Sequence, residues 1–119
     1  MVAAFDEIIH QPVRLRVMAA LMTLDEKNRI SFNTLKEVLQ VTDGNLSVHI
    51  SRLEEAGYVL VEKTFVGKKP YTYIAVTPRG RSAFSEHIEA LQTLLQIRLP
   101  VVQENVPRAA EDTQDAPSS

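Results

Sequence analysis

Apolar residues recur along this chain first at helical spacing, then in alternation, then at helical spacing again, and the order of those rhythms predicts its elements. Residues 2–10 read as a short helical lead-in with Phe5, Ile8 and Ile9 as its apolar contacts. Along 12–24, Val13, Val17, Ala20, Leu21 and Leu24 mark one helical face, and Leu15, Met18, Ala19 and Met22 mark a second. Pro12 suits the first turn, where its missing N–H would have no helical partner. A helix apolar on two sides is expected to be buried on two sides, in its own domain and against a partner subunit. After the polar break LDEKNR, Ile30–Phe32 reads as a small edge strand, and Asn33 as the cap of a short helix with a stripe of Leu35, Val38 and Leu39. Thr42 or Asp43 caps a third helix that ends at Gly57, a residue suited to the left-handed conformation that closes helices. The runs YVLVEKTF (58–65) and YTYIAV (71–76) around VGKKP predict a hairpin with a basic tip. Thr77-Pro78 then opens a last helix along which Phe84, Ile88, Leu91 and Leu95 recur at 4-3-4 spacing, with Leu94 beside them. The expected fold is mainly α with a small β-hairpin: one domain over residues 1–98, followed at 99–119 by a disordered acidic tail.

The third helix is the informative one. Leu46, Ile50 and Leu53 give it a narrow stripe for burial, and opposite lie Gly44, Asn45, Val48, Ser51, Arg52 and Glu55, with Ser47 on the flank. Two helices joined by a short turn, the second showing small polar groups near its N-terminus, form a helix-turn-helix. A major groove admits one α-helix, and small side chains let its backbone approach the base edges. A polar outer face is also what an ordinary surface helix shows, so the neighbouring charge matters. Within 63–81, Lys63, Lys68, Lys69, Arg79 and Arg81 meet no acid, and Lys68 and Lys69 beside Arg79 and Arg81 read as one cluster able to hold phosphates. Lysines at a tight turn also keep a sheet edge soluble. Both features in this order favour double-stranded DNA.

Composition agrees once it is divided along the chain. The net charge is −2 over 119 residues, but residues 99–119 hold one arginine against four acids, leaving 12 basic and 11 acidic groups in 1–98. There are no cysteines, which excludes disulfides, thiolate metal sites and a cysteine nucleophile and fits a reducing compartment. No apolar run reaches the length of a membrane span, so a cytoplasmic protein is expected. No glycine-rich phosphate loop and no nucleophile turn suggest an enzyme.

Several stretches carry a family resemblance. NLSVHISRLEEAGYV at 45–59 resembles the recognition-helix region of winged helix-turn-helix regulators of the ArsR and MarR type. Ser47-Val48-His49-Ile50 matches their Ser-x-His-Leu core. Leu53 to Val59 matches the Leu-x-x-x-Gly-Leu/Tyr-Val that leads into the wing, and Thr77-Pro78-Arg79-Gly80 is similar to the Thr-Pro-x-Gly that opens their last helix. The resemblance covers roughly residues 8–98. Thr42 to Ser47, Thr-Asp-Gly-Asn-Leu-Ser, is similar to the hallmark of a subgroup of small stand-alone regulators. It implies a homodimer with two recognition helices in successive major grooves and wings on the flanking backbone. The chain departs from the metal-sensing branch: His10, His49 and His87 are scattered, and no Asp-x-His/His-x-x-Glu pair stands on the last helix.

The expected site is therefore Asn45, Ser47, Val48, Ser51 and Arg52 on the recognition helix, with Lys68, Lys69, Arg79 and Arg81 on the DNA backbone. Val17, Leu21, Phe84, Ile88, Leu91 and Leu95 are the expected dimer interface, through the N- and C-terminal helices. An ion pair with Glu54 or Glu55 competes for Arg52, and His49 reads as a half-buried histidine against the second helix. No metal and no cofactor are expected. Two alternatives share the fold: a winged-helix protein-interaction module, and a regulator sensing a small molecule in a pocket at the dimer interface.

Overall fold

The structure is a computed structural model that describes residues 5–96, so the acidic stretch at 99–119 lies outside the described residues. Its elements run α1 (Pro12–Leu21), β1 (Ile30–Ser31), α2 (Phe32–Leu39), α3 (Asp43–Glu55), β2 (Val59–Val66), β3 (Lys69–Val76) and α4 (Pro78–Leu95). Residues 7–10 form a turn where the lead-in helix was expected.

Every helix starts on a side-chain oxygen that takes an otherwise unpaired N–H of the first turn. Gln11 accepts from Arg14, Ser31 from Thr34, Thr42 from Asn45 and Thr77 from Gly80. Asn33 is thus not the cap of α2. Ser31 caps it while still pairing in β1, which is why that strand is two residues long. Gln40, at φ 56, closes α2 in the left-handed conformation that glycine usually supplies. At the end of α3, Gly57 N–H reaches the Glu54 carbonyl and Tyr58 N–H the Leu53 carbonyl, both at 2.9 Å, a Schellman closure around a glycine at φ 82.

The sheet is antiparallel with order β1-β3-β2. Val59 sits opposite Val76 and Val61 opposite Ile74, so these four share one face, and β1 adds Ile30 beside Ile74. Only this inner end of the hairpin reaches the core. There Val59, Ile74 and Val76 join Ile9, Val17, Met18, Leu21, Leu35, Leu39, Leu46, Ile50 and Leu53. Val38, expected in the α2 stripe, is 61% exposed, because Leu35 and Leu39 one turn apart already fill that face.

α1 packs against α2, α3, β3 and α4. Residues of both its apolar faces, Val17, Met18 and Leu21, are therefore wholly buried within one protomer. This corrects the expectation that Val17 and Leu21 face a partner. α4 buries Gly80, His87 and Ala90, with Ala83 and Phe84 against the core, one position out of step with the leucine series. Ile88 and Leu91 are half-buried, and Leu94 and Leu95 are exposed.

His87 holds the N-terminal segment to α4. Its ring is fully buried. Nδ1 accepts the Asp6 N–H at 3.0 Å, so Nε2 carries the ring proton and donates to His10 Nδ1 at 3.2 Å. Phe5 packs on both imidazoles, and Tyr58 donates to the Asp6 carboxylate at 2.5 Å. Burial and that hydrogen bond to Asp6 push the Tyr58 hydroxyl up to about 12. Burial, then His10, push the His87 pKa below the ordinary 6.5, against a smaller pull from Asp6. The unfolded chain therefore takes up a proton at this residue before the folded chain does, and stability falls as pH drops below about 6.5. The urea midpoint should be lower at about pH 5.5 than at about pH 7.5, and the difference should shrink in His87→Gln, whose amide accepts and donates without titrating. An equal pH dependence in the variant would remove His87 as its source.

Candidate nucleic-acid interface

α3 is seated by Leu46, Ile50 and Leu53, all buried, and its solvent face carries Asn45, Ser47, Val48, Ser51 and Arg52, all exposed. Thr42 caps it, and an ion pair of 2.6 Å between Lys36 and Asp43 ties it to α2. That surface pair adds little stability but lies at the turn that sets the angle between the two helices. Nothing lies within 4 Å of where a Cβ on Gly44 would stand, so the start of α3 is open to an approaching molecule.

The helix has two flanks. On one, Ser47, Ser51 and Glu54 face the hairpin across a groove of about 570 Å³ that Phe32, Ile50, Val61, Lys63 and Thr72 complete. The hydrophobic face of the sheet runs directly into this groove: Val61 opposite Ile74 is core, and two residues outward Lys63 opposite Thr72 is polar lining. On the other flank His49, half-buried as expected from sequence, also meets α1: its Nδ1 accepts from an Arg14 Nη1 at 3.1 Å. Among the described residues Arg52 takes part in no ion pair, so the competing contact with Glu54 or Glu55 is not formed.

The hairpin is longer and tighter than its sequence suggested. β2 runs to Val66 and β3 begins at Lys69, leaving Gly67 and Lys68 as a two-residue turn with Gly67 at φ 65. Lys68 in the turn and Lys69 at the first position of β3 are both exposed, beside Phe65 at 69% and Val66 at 60% exposure. Beneath them Tyr71 stacks on Tyr73, and Arg29 lies 4.1 Å over the Tyr73 ring while pairing with Glu62.

The single basic cluster expected from sequence is not one cluster in space. Lys69 and Val76 are the two ends of β3, and seven strand steps separate them by roughly 23 Å. Arg79 and Arg81 follow the far end. Arg81 donates to the Leu24 carbonyl at 2.9 Å, tethering the loop after α1, and the Arg79 guanidinium lies 5.9 Å over the Tyr58 ring. What the Thr77–Gly80 motif does here is structural. Thr77 donates its hydroxyl to the Gly57 carbonyl at 2.6 Å while capping α4, and its N–H reaches the Tyr58 carbonyl at 3.0 Å, so the starts of α4 and the end of α3 are locked together.

Among the described residues no three histidine, cysteine, aspartate or glutamate side chains gather as a metal site, and no helix is long and apolar enough to cross a membrane.

Comparison with known proteins agrees with this geometry. Residues 13–95 match the family described as a winged helix DNA-binding domain. An uncharacterized protein of Methanocaldococcus jannaschii is 40% identical over 87 residues, 72% of this chain and 91% of that one. The solved structure of a transcriptional regulator homologue from Pyrococcus horikoshii OT3 superposes with a TM-score of 0.68 at 29% identity, over 76% of this chain and 86% of that one. The overoxidized AbfR bound to DNA shares the fold at a TM-score of 0.56 and 24% identity, over 92% of this chain and 77% of that one.

Proposed function

We propose that this chain, which belongs to the winged helix DNA-binding domain family, is a sequence-specific, double-stranded DNA-binding transcriptional regulator that acts as a homodimer. The observation that carries the reading is α3: its apolar stripe is wholly used for seating while Asn45, Ser47, Val48, Ser51 and Arg52 all stand open beside a lysine-tipped hairpin. These five side chains enter the major groove, and Lys68 and Lys69 neutralise phosphates or reach the minor groove next to it. Because Val17 and Leu21 are spent on the core, the second copy docks on α4, through Phe84, Ile88, Leu91 and Leu95. Leu95 at 82% and Leu94 at 52% exposure are the apolar surface that such docking would cover. The role is that of a DNA-binding switch in the cytoplasm and includes no catalytic step.

The test is fluorescence anisotropy of the full chain on a duplex from its own upstream region and on a random duplex, across a salt series, with light scattering for the oligomer. A dimer that binds the upstream duplex more tightly, with steep salt dependence, is the expected result. No binding to either duplex at low salt would overturn the reading, and a monomer throughout would overturn its dimeric part.

A further inference from the structure

A helix lying in a major groove has a phosphate backbone on each side, and the hairpin serves only one of them. The opposite flank of α3 carries Asn45, His49 and Arg52, spaced four and three residues apart and so stacked on adjoining turns. Against this flank stands Arg14 of α1, whose guanidinium is fixed at two points: Nε donates to the Ile8 carbonyl at 2.5 Å and Nη1 to His49 Nδ1 at 3.1 Å. A guanidinium only donates, so His49 is held as the neutral acceptor at Nδ1. The charged groups that bear on His49 are Arg14, from α1, and Arg52, from its own helix, both positive. The Arg14 guanidinium therefore meets the His49 imidazole, with Arg52 one turn along the same helix and no ion-pair partner for either arginine among the described residues.

We propose that Arg14, His49 and Arg52 form a second phosphate clamp, which grips a phosphodiester of the DNA backbone on the side of α3 away from the hairpin, and that His49 takes up a proton when it does so. This deepens the DNA-binding reading above and rests on it. A phosphate seated here supplies the missing negative charge. It draws the Arg14 fork from His49 Nδ1, and the imidazole, no longer obliged to accept, becomes a cation with two donors. In the free protein the opposite holds: burial first, then the two arginines, keep His49 neutral near neutral pH.

The experiment measures binding of the full chain to the fluorescent upstream and random duplexes at about pH 6.5 and about pH 8 at constant ionic strength, with a salt series at each pH. Wild-type protein is expected to bind roughly fivefold tighter at the lower pH on both duplexes, since a backbone contact carries no sequence information. His49→Gln should bind equally at the two pH values. Arg14→Gln should flatten the salt slope by about one unit, and Arg14→Lys should keep it, which separates loss of charge from loss of fold. Binding by wild type with a pH response that survives in His49→Gln, or a slope unchanged in Arg14→Gln, overturns the clamp and leaves the DNA-binding reading standing. No binding by wild type at either pH overturns both.

Discussion

Replacing Gly80 by alanine is expected to lower the melting temperature by more than about 10 °C. A Cβ at this position would stand 2.1 Å from the Tyr58 carbonyl oxygen, 2.9 Å from its carbon and 3.0 Å from Val76 Cγ2. The first two are backbone atoms, and the carbonyl is already fixed by the Thr77 N–H at 3.0 Å, so it cannot swing away without opening that hydrogen bond. Relief would require α4 to lift from the end of α3, which also strains the Thr77 hydroxyl bridge to Gly57. Overpacking of this kind costs roughly 3 kcal/mol, and each kcal/mol moves the transition of a domain this size by about 4–8 °C. Gly44→Ala is the matched control: its Cβ meets nothing within 4 Å, and alanine is the better helix former by up to about 1 kcal/mol. Thermal melts by circular dichroism compare the two. A loss of under about 3 °C for Gly80→Ala would mean that α4 does not cross Tyr58 this closely.

The second large effect is expected on DNA affinity. Lys68→Ala with Lys69→Ala removes both charges from the hairpin tip, where their exposure leaves them no role in the core. Each lost phosphate contact takes about 0.9 from the slope of log affinity against log salt, so the double variant should be flatter by nearly two units. Extrapolated from molar to physiological salt, that difference amounts to on the order of thirtyfold weaker binding, alike on every sequence. The fold should be untouched, and the melting temperature reports on that directly. Equal affinity at every salt would remove the hairpin from the DNA contact. A loss confined to one sequence would instead move the lysines to base edges.

These two positions show how much was legible before the fold was known. Gly80 belongs to a motif readable as a helix start, but its reason for being glycine, the Tyr58 carbonyl, lies 22 positions earlier and is set by how two elements cross. The lysines were readable as a basic tip, whereas their grouping with Arg79 and Arg81 was not correct. A sequence window brings together residues that an extended eight-residue strand then holds at opposite ends. The leucine series on α4 was seen, yet the face that packs inward is the adjacent one, made of Gly80, Ala83, His87 and Ala90. Two alanines, a glycine and a histidine give a weaker apolar signal than the larger side chains beside them, so a periodicity count selects the leucine series instead.

By itself the sequence determined most of the local structure: the order of the elements from α1 onward, the seating stripe of α3 and the exposure of the residues opposite it, the cap at Thr77, and the glycine closure at Gly57. All depend on neighbours within about four residues, where backbone geometry and the helical period act directly. Tertiary structure alone decided that α1 is buried on both faces by its own chain, that Arg81 holds the Leu24 carbonyl, and that Arg14 meets His49 across 35 positions and His87 meets Asp6 across 81. Polar side chains of this kind fit many partners equally well in a sequence. Which partner each one finds is settled only when hydrophobic packing has brought distant segments together and left each buried donor or acceptor one partner within reach.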